Sequence, residues 1–254
     1  MKPLKPSLCL TTLLSAITLG LMVSCSSNDP DPIVSGSVGT TSVVQSKYKS
    51  PVTTSTSGTS ITLKSQGIPD HFSPYWPTAH ALWEAQASGR TVNPGNLTTQ
   101  NFSMTIPTNP ASAASKEATA LGPIGMALNG VAIFNDREGG NVPLTSDVVL
   151  SFDRGGAHSG PGGLYHYHVN GDFTSLNDDN LIGFLRDGFP IYGRKDKDGS
   201  YPTDLDTNGG HTGATADFAE GIYHYHCSNV NYMNTGVYVL KAGSYHGTKG
   251  TFTF

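Results

Sequence analysis

The tetrapeptide Tyr-His-Tyr-His occurs twice, at Tyr165-His166-Tyr167-His168 and at Tyr223-His224-Tyr225-His226. Successive side chains on an extended strand point to opposite faces, so His166 and His168 share one face and Tyr165 and Tyr167 the other. Each copy offers two imidazoles one strand repeat apart, a spacing suited to two ligands of one metal ion. Seven of the nine histidines lie between His158 and His246, so the clustering is regional as well as local. The two copies together can bring His166, His168, His224 and His226 to one shared centre. If their His faces point apart, two separate sites are expected, one per half with His158 or His211 as third ligand. Further ligands are His158, which precedes His166, and His211, which precedes His224; His71 and His246 are weaker candidates, and His80 reads as surface or core. Neutral imidazole favours copper, zinc, nickel and iron over calcium or magnesium. Copper or zinc is therefore expected, with copper ahead because imidazole-rich sites rank it highest.

Two other readings use the same residues. In one, the histidines hold a catalytic metal with an open position, and Asp187 or Asp153 assists as base. In the other, they form a metal-free histidine and tyrosine network inside an interaction module. Four converging neutral imidazoles would then each need matched donors and acceptors, and any protonation would add mutual repulsion. The Tyr face (Tyr165, Tyr167, Tyr223, Tyr225) reads as aromatic core. Asp196, Asp198, Asp204 and Asp206 form an oxygen-rich loop without EF-hand spacing, and read as a solvated turn. There is no Gly-x-Ser-x-Gly, phosphate-cradling loop or dinucleotide fingerprint.

The tetrapeptides belong to a longer repeat. His166 and His224 are 58 positions apart (224 − 166), and the same shift lays Ile124 to Phe134 over Ile182 to Tyr192. Both glycines and both isoleucines match, Asn129 faces Asp187, and Gly163 to His168 overlies Gly221 to His226. Two similar halves, 124–168 and 182–226, are expected, each made of an apolar segment, a Gly-rich loop and a His strand. At this shift His211 overlies Asp153. Asn129-Gly130 and Asp187-Gly188 suit two-residue type I′ hairpin turns.

The order of these motifs resembles the YHYH-domain family of exported bacterial proteins. The matching stretches are Gly67 to His71, Ile124 to Phe134, the first Tyr-His-Tyr-His, Ile182 to Gly193, Asp204 to Gly209 and the second Tyr-His-Tyr-His. Family members often carry cysteine where this chain has Thr207. The resemblance implies export and leaves the activity open.

The N-terminus agrees with export. Lys2 and Lys5 precede an apolar stretch, Leu8 to Leu21, which is too short to span a bilayer comfortably. It ends at Leu21-Met22-Val23-Ser24-Cys25, which resembles a lipoprotein signal (residues 1–24) cleaved before a diacylglycerol-modified Cys25. A lipid-anchored protein of the bacterial cell envelope is expected, with the membrane as partner through its acyl chains, palmitate among them. Residues 25–58 are rich in Ser, Thr, Pro and Gly and read as a flexible tether. Residues 59–254 remain for one folded domain. Net charge of −4 and a charged fraction of 13% exclude a basic nucleic-acid-binding surface. Cys227 would be the one thiol of the mature domain and reads as a small buried residue.

Short apolar runs between Gly, Pro, Asn and Asp clusters predict strands at 61–63, 102–106, 131–134, 148–152, 165–169, 189–192, 222–227 and 236–240. Residues 78–87 and 111–120 are the helical candidates. The fold class is mainly β: a single β-rich domain, sandwich or barrel-like, with long Gly/Pro-rich loops.

Overall fold

Alternation of apolar and polar residues builds the first layer. In the computed structural model, which describes residues 39–174 and 177–254, β1 (Thr53–Ser57), β2 (Ser60–Ser65), β3 (Phe102–Pro107) and a C-terminal strand, β14 (Phe252–Thr253), form an antiparallel sheet in the order β1-β2-β3-β14. Ile61, Leu63, Phe102, Met104 and Ile106 face inward, while Thr62, Lys64, Ser103 and Thr105 face out. The signal peptide and Cys25 lie outside the described residues. Part of the segment read as tether does not: α1 (Thr40–Lys47) and β1 occupy it. Val43, Val44, Tyr48 and Val52 are buried against the sheet residues, and the Tyr48 hydroxyl donates to Met126 O at 2.6 Å. Four inward side chains on a Ser/Thr-rich background suffice to dock it, so the flexible reading fails for residues 40–57.

The second layer is an eight-stranded sheet. Its strands are β4 (Gly125–Ala127), β5 (Ala132–Ile133), β8 (Ala157–Ser159), β9 (Tyr165–Tyr167), β10 (Leu181–Leu185), β11 (Pro190–Tyr192), β12 (Gly210–Gly213) and β13 (Ile222–His226). Their order is β12-β13-β11-β10-β4-β5-β9-β8. The two halves of the repeat are β4-β5-β9-β8 and β10-β11-β13-β12, joined back to back. Met126 pairs with Phe184, its own counterpart at the 58-residue shift, and Gly125 and Ala127 pair with Leu185 and Gly183. A pseudo-twofold axis therefore passes through the Met126/Phe184 pair. Ala132 pairs with His166 and Ile133 with Tyr167; in the other half Ile191 pairs with Tyr225 and Tyr192 with His226, both pairings being parallel.

One face of this sheet packs on the first layer through Met126, Ala132, Phe134, Phe184 and Tyr192. The other buries Tyr165, Tyr167, Tyr225, Ile133, Ile191 and Tyr245. The result is sandwich-like, and the sheet does not close into a barrel. A small hairpin, β6 (Arg137–Glu138) with β7 (Val142–Pro143), lies outside both sheets.

Three local expectations differ from the structure. Residues 148–152 form no strand: Ser146–Ser151 is helix α2, because the Thr145 side chain accepts from Val148 N as an N-cap. Residues 78–87 and 111–120 form no helix, and 236–240 contributes only isolated bridges. The Asn-Gly and Asp-Gly hairpins are not type I′, since Asn129 and Asp187 keep negative φ while Gly130 and Gly188 stand at 87° and 86°. Gly130 N donates to Ala127 O and Ala127 N to Val131 O, a type I turn with a glycine bulge, and the Asp187 turn repeats it. The Asn129 and Asp187 side chains are thereby freed for longer-range bonds.

Candidate metal centres

Both Tyr-His-Tyr-His segments are strands with their histidines on one face, as alternation dictates. His166 lies beside Ala132 on the face that meets the first layer, and His224 has the equivalent place in its half. The two histidine pairs do not converge. Four strands separate β9 from β13, or about 24 Å at about 4.8 Å per strand step. The single shared centre is thus replaced by two. Among the described residues, two groups hold ligand atoms within 4.8 Å of one another: Glu138, His158, His166 and His168 in the first half, and Asp196, His211, His224 and His226 in the second.

The sheet supplies the third histidine of each group. His158 pairs directly with His166 across β8 and β9, and His211 with His224 across β12 and β13. His158 and His211 are 53 positions apart (211 − 158), not 58, so the rigid shift hides their equivalence and wrongly lays His211 over Asp153. Asp153 corresponds instead to Asp206. Each opens an Asp-x-x-Gly turn: Asp153 Oδ1 accepts from the backbone N–H of Gly155 and Ala157, and Asp206 Oδ1 from Asn208 and Gly210.

The tyrosines fix those turns from the far face. Tyr165 donates to Asp153 at 2.7 Å and Tyr223 to Asp206 at 3.0 Å. Each first tyrosine thus ties its strand to the turn that leads into the third histidine. The second tyrosines hold the hairpins: Asn129 Nδ2 donates to Tyr167 at 2.9 Å, and Tyr225 donates to Asp187 at 2.5 Å. Burial raises the carboxyls of Asp153 and Asp187 and pushes the Tyr165 and Tyr167 hydroxyls far above their ordinary range. Asp153 and Asp187 belong to this buried network on the Tyr face, so neither is placed to act as base at the histidines.

Proton placement on the imidazoles is set by their backbone partners. Carbonyl oxygens only accept, so Nδ1 must carry the proton wherever it faces one. His166 donates Nδ1–H to Leu164 O at 2.9 Å and His168 to Asn135 O at 2.6 Å. His224 donates likewise to Ile222 O at 3.0 Å and His226 to Gly193 O at 2.8 Å. His211 donates to the Asp204 carboxylate at 2.7 Å. His158 Nδ1 lies 2.9 Å from Ser151 Oγ, whose own proton is committed to Val148 O, and 2.9 Å from the Asn93 amide. The Asn93 Nδ2–H can only donate, so His158 accepts at Nδ1 and carries its proton on Nε2. At the other five histidines Nε2 is left as a bare lone pair aimed inward.

Burial then favours the neutral form at four of the six rings. It lowers the pKa of His158, His166 and His226, and brings His224 down to about 4. Burial alone would raise Glu138, but its contacts with His158 and His168 outweigh this and hold its carboxyl well below the usual range.

The resulting distances are short. His158 Nε2 is 3.2 Å from His166 Nε2 and 3.1 Å from Glu138 Oε1, which is 3.4 Å from His168 Nε2. In the second centre His211 Nε2 is 3.1 Å from His224 Nε2, 3.3 Å from His226 Nε2 and 3.2 Å from Asp196 Oδ1. Asp196 Oδ1 is also 3.4 Å from His226 and 3.8 Å from His224. A tetrahedron of ligands about 2.0–2.1 Å from an ion has edges of about 3.3 Å.

Glu138 and Asp196 were missed in the sequence, where Asp196 was assigned to a solvated turn. Their signal was present, since they stand at the same 58-residue shift (196 − 138) as the tetrapeptides. The other candidates lie elsewhere. His71 Nε2 meets the Tyr167 hydroxyl at 2.7 Å, His246 stacks on Tyr223 and His80 on Trp76. Cys227 is buried in the core of the Tyr face, its Sγ 3.3 Å from Val239 O.

Residues 103–202 match the family model described as YHYH protein, so the chain carries a YHYH domain. The match takes in the whole first half and ends before the second tetrapeptide. No curated protein and no solved structure matches the chain.

Proposed function

We propose that this YHYH domain holds two divalent transition-metal ions, zinc in preference to copper, one in each half of the duplicated sheet. The observation that carries the reading is the convergence of bare lone pairs. Glu138 Oε1 and His168 Nε2 are buried without a hydrogen-bond partner, although each is surrounded by other ligand atoms. A buried polar atom without a partner costs about 1–3 kcal/mol, and more when charged. A cation shared by all four atoms removes that cost at once. A neutral histidine network would not leave the three unprotonated Nε2 atoms of His211, His224 and His226 facing one another.

Zinc is favoured by shape and donor type. In the second centre, five edges between three imidazoles and one carboxylate measure 3.1–3.8 Å, which suits a tetrahedral ion. A square plane, preferred by Cu²⁺, would need two ligand pairs about 4 Å apart. Four protein ligands also make a closed centre of the structural type, without the open position of a catalytic zinc site. We place the protein in the bacterial cell envelope, tethered through an acylated Cys25; no helix among the described residues is long and apolar enough to cross a membrane.

Elemental analysis of protein purified without chelator is expected to give two metal equivalents per chain. The melting temperature should fall on chelation and return with Zn²⁺, since an ion that binds only the folded state stabilises it. Absence of bound metal together with identical melting curves in chelator, Zn²⁺ and Cu²⁺ would defeat the reading.

A further inference from the structure

We propose that the two centres divide the work: the Asp196 centre exchanges its ion with the surroundings, and the Glu138 centre retains its ion as a fixed staple. The proposal rests on the two-metal reading above and adds which centre is the functional port.

The pseudo-twofold axis makes the four ligands of each centre equivalent, so the contrast lies in what surrounds them. In the first half the chain between Glu138 and His158 folds over the centre. It forms the β6–β7 hairpin and helix α2, and delivers Phe152, which is fully buried. The Phe152 ring lies 5.3 Å from the His168 ring and 5.1 Å from that of His158. Ser151, also buried, meets His158 Nδ1, and Asn93 meets it from a separate loop. The chain between Asp196 and His211 builds no such roof. Residues 197–207 contain no helix or strand, and all but Pro202 and Leu205 are exposed. The His211 side chain is 11% exposed, against 3% for His158.

Charge also distinguishes the centres, through how the ion approaches rather than through cover. Within hydrogen-bond reach, the first centre has one carboxylate, Glu138, and a neutral hydroxyl behind its third histidine. The second has Asp196 as ligand and Asp204 behind His211, so a divalent ion is fully balanced there. A carboxylate behind a ligating imidazole raises its donor strength, and removing such a partner typically lowers metal affinity 10–100-fold. The Asp204 side chain is 70% exposed, which puts a negative charge at the solvent side of the centre where an incoming cation arrives.

The test is release of Zn²⁺ from the loaded protein into the chromogenic chelator 4-(2-pyridylazo)resorcinol. Two phases of one equivalent each are expected. Asp204→Asn should accelerate only the fast phase and lower the affinity of that equivalent 10–100-fold; Ser151→Ala should alter only the slow phase. Neither residue is a ligand, and circular dichroism checks that both variants fold. Release of both equivalents in one phase, or an Asp204→Asn effect on the slow phase, overturns the division while leaving two centres in place. Fewer than two equivalents bound to the wild type defeats the two-metal reading and the division with it.

Discussion

Acidification of the metal-free protein provides a direct measure of how firmly the fold holds its histidines neutral. The His224 side chain is 2% exposed, and burial lowers its pKa from 6.5 to about 4. Above pH 6.5 it is neutral in both the folded and the unfolded chain, so it contributes no pH dependence. Between about 6.5 and 4 the unfolded chain binds a proton that the folded chain refuses, so stability falls as pH falls. Each pH unit in that window costs about 1.4 kcal/mol, or about 3 kcal/mol over the whole span, from this one residue. His158, His166 and His226 are shifted in the same direction and steepen the loss. Asp153 and Asp187, raised by burial, act in the opposite sense and moderate it at the acid end.

Urea denaturation in chelator at pH 7.0, 6.0 and 5.0 measures the sum, and His224→Asn isolates one share. At pH 7 the variant loses packing and the hydrogen bond to Ile222 O. At pH 5 it no longer suffers the protonation penalty, so its deficit relative to wild type should shrink by about 2 kcal/mol, or 1.5 pH units at about 1.4 kcal/mol each. A deficit that is unchanged between pH 7 and pH 5 would refute the view that burial holds this ring neutral. Ordinary histidine titration in the folded state would produce that result.

The remaining predictions probe the scaffold and the address. Tyr165→Phe leaves the buried Asp153 carboxylate one donor short and should cost about 1.5–3 kcal/mol in chelator, while lowering Zn²⁺ affinity through the turn that carries His158; unchanged affinity would uncouple the Tyr face from the centre. Gly130→Ala places a side chain at a φ of 87° and a Cβ within 2.2 Å of Ser65 Oγ, so a melting temperature equal to wild type would contradict the turn described. Removal of residues 36–57 should lower the melting temperature by uncovering Ile61, Leu63 and Phe184, whereas a free tether would leave it unchanged. Cys25→Ser should move the protein from the membrane to the soluble fraction of the envelope, and continued membrane partition would sink the lipid anchor.

Much of the architecture was legible because it depends on period and repetition. Alternation put each histidine pair on one face, and the 58-residue shift announced two halves. It did not tell how the halves join. Joining through β4 and β10, at the Met126/Phe184 pair, sends the two His strands to opposite sides of the sheet, and no local pattern encodes that choice. The same composition that suggested a tether also conceals α1, since a Ser/Thr-rich segment docks once Val43, Val44 and Tyr48 find a surface. The carboxylate ligands were hidden differently. Glu138 and Asp196 share the shift, but they lie in Gly- and Asp-rich turns whose composition also fits solvated loops.

The tetrapeptide can now be argued residue by residue. Its histidines need a neighbouring strand to bring a third imidazole, and that strand starts at an Asp-x-x-Gly turn. The first tyrosine binds the aspartate of that turn, and the second binds the Asn or Asp of the preceding hairpin. Alternation makes the two roles compatible, since ligands and anchors occupy opposite faces of one strand. Replacing the tyrosines by phenylalanine would keep the aromatic core and lose the anchors, so aromatic packing alone does not explain why the hydroxyl recurs four times. An anchored third ligand does. On the proposed two-metal reading, the bonds from Tyr165 to Asp153 and from Tyr223 to Asp206 would hold each turn in place before an ion binds, lowering the ordering cost of assembling the centre.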